Sequence, residues 1–370
     1  MPLPPPVWVA TPQELKACIA ALADQASVAV DTESNSLYAY REQVCLLQFS
    51  TLQTDYLLDP LALDDLSPLG EVLANPAIEK VFHAAEYDLI CLKRDFGFEV
   101  VNLFDTRWAS RLLGYAGDGL EYLLSLKFGL QVDKKYQKAN WAQRPLSADQ
   151  INYARLDTRY LLPLKDMLQA ELQARNLEGL AREDFRRACR VEIPTARAAL
   201  WERMGNNHAF TARELTLLKE LYECREKIAQ QLDRPPFKVL GDQQLFDIAR
   251  LPPQHPDELL GLGLSYRQVA RWGKDILQAV RKGQEAPLVR PQQAQRPSEA
   301  YLARLEALKG WRKSAARKMG VESDVVLPRW LMETLAERGP QDMEKLAAAM
   351  AESPWRMAHF GPQILKAMKG

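Results

Sequence analysis

Four acids and one tyrosine, far apart along the chain, have the side-chain types that cation-assisted chemistry uses. Asp31 and Glu33 stand two apart in the run VAVDTES. On a strand, that spacing points both side chains to one face. Two like charges aimed together are costly unless a cation or hydrogen-bond donors compensate them. A polar strand end turning into a loop would have the same pattern. Asp88 lies in KVFHAAEYDLI, flanked by Tyr87, Leu89 and Ile90; it is either a carboxylate in an apolar setting or an exposed helix charge. Tyr153 and Asp157, in INYARLD, stand at i and i+4 and so share a helix face. Carboxylates are the ligands that hard cations such as Mg²⁺ and Mn²⁺ prefer.

The elements that must position these groups alternate over the first ~180 residues. Ser27–Asp31, Val44–Ser50 and Asp55–Asp59 read as strands: they are short, apolar or β-branched, and bounded by turn or charged residues. Lys80–His83 is a fourth strand and Val101–Leu103 a fifth. The apolar spacing of Leu89, Ile90, Leu92 and Phe96 makes Glu86–Phe96 a helix. Gly119–Phe128 and Ser147–Leu172 also read as helical, with Ser147 placed to start the second. The front half is thus an α/β domain with a mixed sheet.

From Asp184 onward the pattern is almost all helix. Shifting the chain by 87 residues places Arg225 on Arg312, Ala229 on Ala316, Val239 and Leu240 on Val326 and Leu327, and Pro253 on Pro340. Two copies of one helical module are read, at 210–282 and 297–370. A connector spans 181–209, and a Pro- and Gln-rich linker spans 283–296.

The combination resembles a known family. D-x-E after a first strand, H-x-x-x-x-D at a later helix start and Y-x-x-x-D on a late helix are similar to the three exonuclease motifs of the DEDD family, in its tyrosine-bearing branch. AVDTES, VCLLQFS, VFHAAEYDL, NLFDTRWASRLLG and WAQRPLSADQINYARLDTRYLLPL resemble the ribonuclease D family, and the two helical modules resemble HRDC domains. The resemblance implies a ribonuclease-H-like exonuclease domain over 1–180 followed by two all-α HRDC domains. It implies Asp31, Glu33, Asp88 and Asp157 as metal-binding carboxylates, two divalent ions (Mg²⁺ or Mn²⁺) as cofactors, and Tyr153 orienting the attacking water. The activity it implies is 3′–5′ exoribonuclease action by two-metal-ion catalysis, with RNA as partner and tRNA precursors carrying 3′ trailers as substrates. Around this set, His83 is read as a phosphate or Asp88 contact, or equally as a satisfied core histidine. Asp105 is read as a cap for the helix that follows, Arg144 as an RNA contact or a surface ion pair, and Trp141 as a base-stacking or anchoring residue.

Composition limits the other classes. Hydrophobic residues are 47% and charged residues 26%, which argues against wholesale disorder. No apolar stretch approaches the ~18 residues of a membrane span, and MPLPPPVWVA has neither the basic nor the apolar region of a secretory signal. Five scattered cysteines without a C-x-x-C pair fit reduced thiols in a cytoplasmic protein. The net charge of zero divides into −8 over residues 1–180 and +8 over 181–370, where 21 Arg and 11 Lys supply the surplus. An Arg-rich half suits a polyanion, although solvated helix faces account for it equally well. A DNA-preferring exonuclease is the alternative, and the lack of a helicase P-loop favours the ribonuclease. A monomer is expected.

Overall fold

The structure, a computed structural model, describes residues 4–193, 200–206, 210–289 and 297–369. The remaining parts of the 181–209 connector and the 283–296 linker lie outside the described residues. Two compact units are present. One combines residues 1–34, 44–193 and 296–370, and the other combines 35–43 with 194–295.

In the first unit the chain opens with β1 (Val7–Val9) and α1 (Pro12–Ala23), then β2 (Ser27–Ser34), β3 (Val44–Ser50), β4 (Asp55–Leu58), α2 (Ser67–Ala74), β5 (Glu79–Phe82), α3 (Glu86–Phe96), β6 (Leu103–Asp105), α4 (Thr106–Leu112), α5 (Leu120–Phe128), α6 (Ala148–Arg159), α7 (Leu161–Ala174) and α8 (Glu178–Ala188). The six strands form one mixed sheet in the order β1-β4-β3-β2-β5-β6. β2 runs antiparallel to β3 and parallel to β5, and β5 runs parallel to β6. The sheet is covered by helices whose buried residues recur every three or four positions, as Leu161, Leu164, Leu168 and Leu172 do on α7. Each such leucine contributes about 1.5–3 kcal/mol by leaving water. The mixed sheet with helices agrees with the ribonuclease-H-like expectation.

Several elements differ in extent from the sequence reading. β1 and α1 precede the first strand that was read; β1 is only three residues long and pairs parallel to β4. The fifth strand read at 101–103 falls instead at β6, because Leu103 pairs with Lys80 and Asp105 with Phe82. The single helix read over 147–172 breaks at Tyr160 into α6 and α7. Pro163 has no N–H for the Arg159 carbonyl, which weakens the helix at this point. The segment read as connector begins as α8, which packs Phe185 against Phe104 with ring centroids 4.9 Å apart.

The second helical module belongs to this same unit. It consists of α15 (Glu299–Met319), α16 (Ser323–Val326), α17 (Arg329–Arg338), α18 (Met343–Ala349) and α19 (Pro354–Lys369), around Leu308, Leu327, Leu331, Leu335, Leu346 and Ile364. Arg356 is fully buried and joins the module to α8. It pairs with Glu183 and with Asp184 at 2.9 Å, and donates to the carbonyls of Val325 and Val326. Asp184 also accepts from the Trp108 indole at 2.7 Å, and Arg111 reaches Glu322 at 2.5 Å and Asp324 at 2.7 Å.

The other unit holds the first module: α9 (Leu200–Asn206), α10 (Ala212–Gln231), α11 (Pro236–Val239), α12 (Asp242–Arg250), α13 (Glu258–Gly261) and α14 (Tyr266–Glu285). The 87-residue repeat is visible in its hydrogen bonds. Thr211 caps α10 as Ser298 caps α15. Arg225 donates to the Leu240 carbonyl at 3.2 Å, and Arg312 to the Leu327 carbonyl at 3.0 Å. Among the described residues the five cysteines are free thiols, three of them buried, and no helix is long and apolar enough to cross a membrane.

Candidate active site

Asp31 and Glu33 lie on β2 just before its pairing with β3 becomes irregular at Glu33/Ser34. The alternation of the strand keeps them on one face. α6 brings the third carboxylate. Its start is fixed by a capping box in which Ser147 accepts from the Gln150 amide and the Gln150 side chain returns to Ser147. Its flank is anchored by a buried ion pair, Arg155 to Asp55 at 2.7 Å, with Ser50 bonded to both Asp55 and Thr158. On that helix Asp157 meets β2: carboxylate oxygens of Asp31, Glu33 and Asp157 all lie within 4.8 Å of one another. Asp88, in the first turn of α3, is 6% exposed and accepts a 2.5 Å hydrogen bond from the Thr32 hydroxyl.

Repulsion couples the four carboxyls to one another. Burial, then repulsion from Asp88, Asp157 and Glu33, holds the Asp31 carboxyl well above the ordinary carboxylate range. Glu33 is raised by burial and then by Asp157 and Asp88. Asp88 is pushed up to about 7, chiefly by burial, against the opposing Thr32 bond. Asp157 is pushed up to about 7 by burial and then by Asp88. Such a cluster is under strain when all its members are charged, and a divalent cation relieves it. The donors are all carboxylate oxygens, without thiol or imidazole, a set that suits a hard divalent cation.

Tyr153 sits one turn before Asp157, with the rings of Trp141 and Tyr136 at 6.0 and 6.1 Å. Burial first, and then Asp157, Glu33 and Asp31, raise its phenol pKa further. The hydroxyl therefore stays protonated at neutral pH.

The surrounding residues take structural places. His83 bonds the Thr106 hydroxyl at 3.0 Å, and burial lowers its pKa to about 4, so the ring is neutral. Arg144 forms a fork onto Asp59, with both bonds at 2.7 Å, and also donates to the carbonyls of Trp141, Gln143 and Cys45. Trp141 is 1% exposed and anchors the fold. Asp105 caps α4 as expected, accepting from the Arg107 and Trp108 amides.

Sequence reasoning missed Thr32, the Asp55–Arg155 pair and Gln48. The threonine lies between the paired acids, but no local pattern marks it as a partner for Asp88. The Asp–Arg pair spans 100 residues and leaves no local signal either. Gln48 is fully buried, sits directly across from Asp31 in the β2–β3 ladder, and has neither amide atom hydrogen-bonded. An orphaned amide beside a carboxylate cluster is a place for a bound water or a cation-held carboxylate.

Residues 6–173 match the 3′–5′ exonuclease family, and residues 214–280 and 301–368 match the HRDC domain. The crystal structure of Escherichia coli RNase D, an exoribonuclease involved in structured RNA processing, superposes with a TM-score of 0.74 at 25% identity, covering 100% of this chain and 99% of that one. The catalytic core of RRP6 from Trypanosoma brucei superposes at 0.65 with 29% identity, covering 75% of this chain and 79% of that one. The exosome complex exonuclease RRP6 of Saccharomyces cerevisiae is 36% identical over 274 residues, which is 70% of this chain and 37% of the yeast protein. The chain thus spans well under half the length of that curated relative. An exonuclease domain followed by two HRDC domains, on the fold of RNase D, makes the chain a member of the ribonuclease D-like family of 3′–5′ exonucleases.

Proposed function

We propose that the chain is an exoribonuclease that removes nucleotides from RNA 3′ ends, using two divalent ions, Mg²⁺ or Mn²⁺, held by Asp31, Glu33, Asp88 and Asp157. The observation that carries this reading is the three-carboxylate group within 4.8 Å, with Asp88 close enough to raise the pKa of each member. Bound in pairs, such ions stabilise both the attacking and the leaving oxygen of an in-line displacement at phosphorus. The chain's own residues supply the rest. The carboxylates fix where a cation rests. The protonated Tyr153 hydroxyl aims the attacking water by a hydrogen bond, and the Thr32 hydroxyl holds the Asp88 carboxylate.

The substrates we propose are structured RNA precursors, such as tRNAs with 3′ trailers, processed in the cytoplasm by a monomer. The likeness to an RNase D involved in structured RNA processing supports this. The basic surplus of the helical half gives it an electrostatic reason. The test is a 5′-labelled RNA incubated with Mg²⁺ or Mn²⁺. Stepwise shortening that stops with EDTA supports the proposal. Preference for a matched DNA supports the alternative exonuclease, and binding without shortening rejects catalysis.

A further inference from the structure

The helix that carries Asp88 has no side-chain cap of its own. It is entered through Ala84, which has φ +64. Among the described residues, the other non-glycine positions in this region are Asn102, Asn176 and Asp233, types that tolerate the left-handed conformation. An alanine there needs an outside restraint, and Asp105 supplies it. One carboxylate oxygen of Asp105 accepts from the Ala84 amide at 3.0 Å and the other from the Ala85 amide at 2.9 Å. The same side chain accepts from the Arg107 and Trp108 amides at 2.9 and 3.1 Å. Asp105 is 8% exposed and is fixed beside Phe82 by the β5–β6 ladder. Thr106 reinforces the junction by donating to the Phe82 carbonyl at 3.0 Å.

We propose that Asp105 is a positioning residue for the exonuclease site: it clamps the left-handed Ala84–Ala85 turn and so sets where α3 presents Asp88 to the Asp31 cluster. The proposal rests on the reading of that cluster as a divalent-cation site. It gives Asp105 a second task beyond capping α4. Four backbone N–H groups from two chain segments converge on one carboxylate, so α3 and α4 start from a common point. Asparagine cannot reproduce this, because its amide NH₂ would face one of the two turn N–H groups.

The test is a cycle of Asp105→Asn and Ala84→Gly, read by Mn²⁺ affinity of the full chain and by kcat and KM on a short single-stranded RNA. Asp105→Asn should weaken Mn²⁺ binding about tenfold or more, as loss of an outer-shell partner does, and should lower kcat with KM little changed. Glycine adopts the left-handed turn at no steric cost, so in the Ala84→Gly background the same substitution should cost under about threefold. A purely structural cap on α4 would lose the same factor in both backgrounds, and that result overturns the proposal. If Asp105→Asn does not fold, Ala84→Val serves alone, since it keeps Asp105 but disfavours the turn. Weakened Mn²⁺ binding supports the clamp, and unchanged binding overturns it. Failure of the wild-type chain to bind Mn²⁺ would reject the cation-site reading itself, and the proposal with it.

Discussion

Replacing Asp157 with asparagine should stabilise the cation-free protein while removing a cation ligand. Burial, then Asp88, pushes the Asp157 carboxyl up to about 7 from an ordinary value of 3.8. The folded chain therefore holds this proton more tightly than the unfolded chain. No penalty exists below the unfolded value; it builds as pH rises between the two values and is complete above the folded one. At about 1.4 kcal/mol per pH unit, the whole interval corresponds to ~4 kcal/mol. Asp157 keeps partial access to water, which screens the repulsion, so ~2 kcal/mol is the figure to test. An amide of the same shape never ionises and escapes the penalty. Urea unfolding in EDTA at about pH 8 should then show Asp157→Asn more stable by ~2 kcal/mol, with the two proteins close together near pH 4. Added Mn²⁺ should reverse the order at pH ~8, because the wild type, with all four carboxylates, gains more binding energy than the variant. A variant less stable than wild type at high pH without cation, or a gap independent of pH, would refute the reasoning.

Other substitutions separate the roles of single groups. Tyr153→Phe should keep Mn²⁺ affinity, measured calorimetrically, and lower the single-turnover rate at saturating Mn²⁺ by about a hundredfold; an unchanged rate would remove Tyr153 from the site's chemistry. Arg356→Met should destabilise the chain by about 3–5 kcal/mol in urea, because Glu183 and Asp184 are left charged without their partner. For the same reason, removing residues 297–369 should lower the melting temperature of what remains, so the second module is not a dispensable RNA tether. Arg155→Met should leave the buried Asp55 with only Ser50 and the longer Arg159 pair at 3.5 Å behind α6, and lower both stability and Mn²⁺ affinity; loss of stability with affinity intact would show that Asp157 is held by other contacts.

The fold and the site differed in how far the sequence revealed them. Asp31 and Glu33 were visible because strand alternation is local, and Tyr153 with Asp157 because helical spacing is local. The repeat was visible because its fixed offset preserved an arginine and the carbonyl it serves, Arg225 with Leu240 and Arg312 with Leu327. The contacts that bring distant segments together were not visible. Thr32 reaches Asp88 across 56 positions, and Asp55 reaches Arg155 across 100. No local pattern marks Arg356 as buried against α8, and two modules similar in sequence end up in different compact units. The break at Tyr160 was missed, because an apolar pattern ran through Pro163, whose missing N–H leaves the Arg159 carbonyl without its helical donor.

The central claim is that acids distant in the chain form one cation site at the end of β2. A crystal soaked in Mn²⁺ and measured at the manganese edge tests it directly. The account predicts anomalous density about 2.1 Å from carboxylate oxygens of Asp31, Glu33 and Asp157, with Asp88 turned toward it. Density confined to other acidic patches, or none near Asp31 at saturating Mn²⁺, would contradict it.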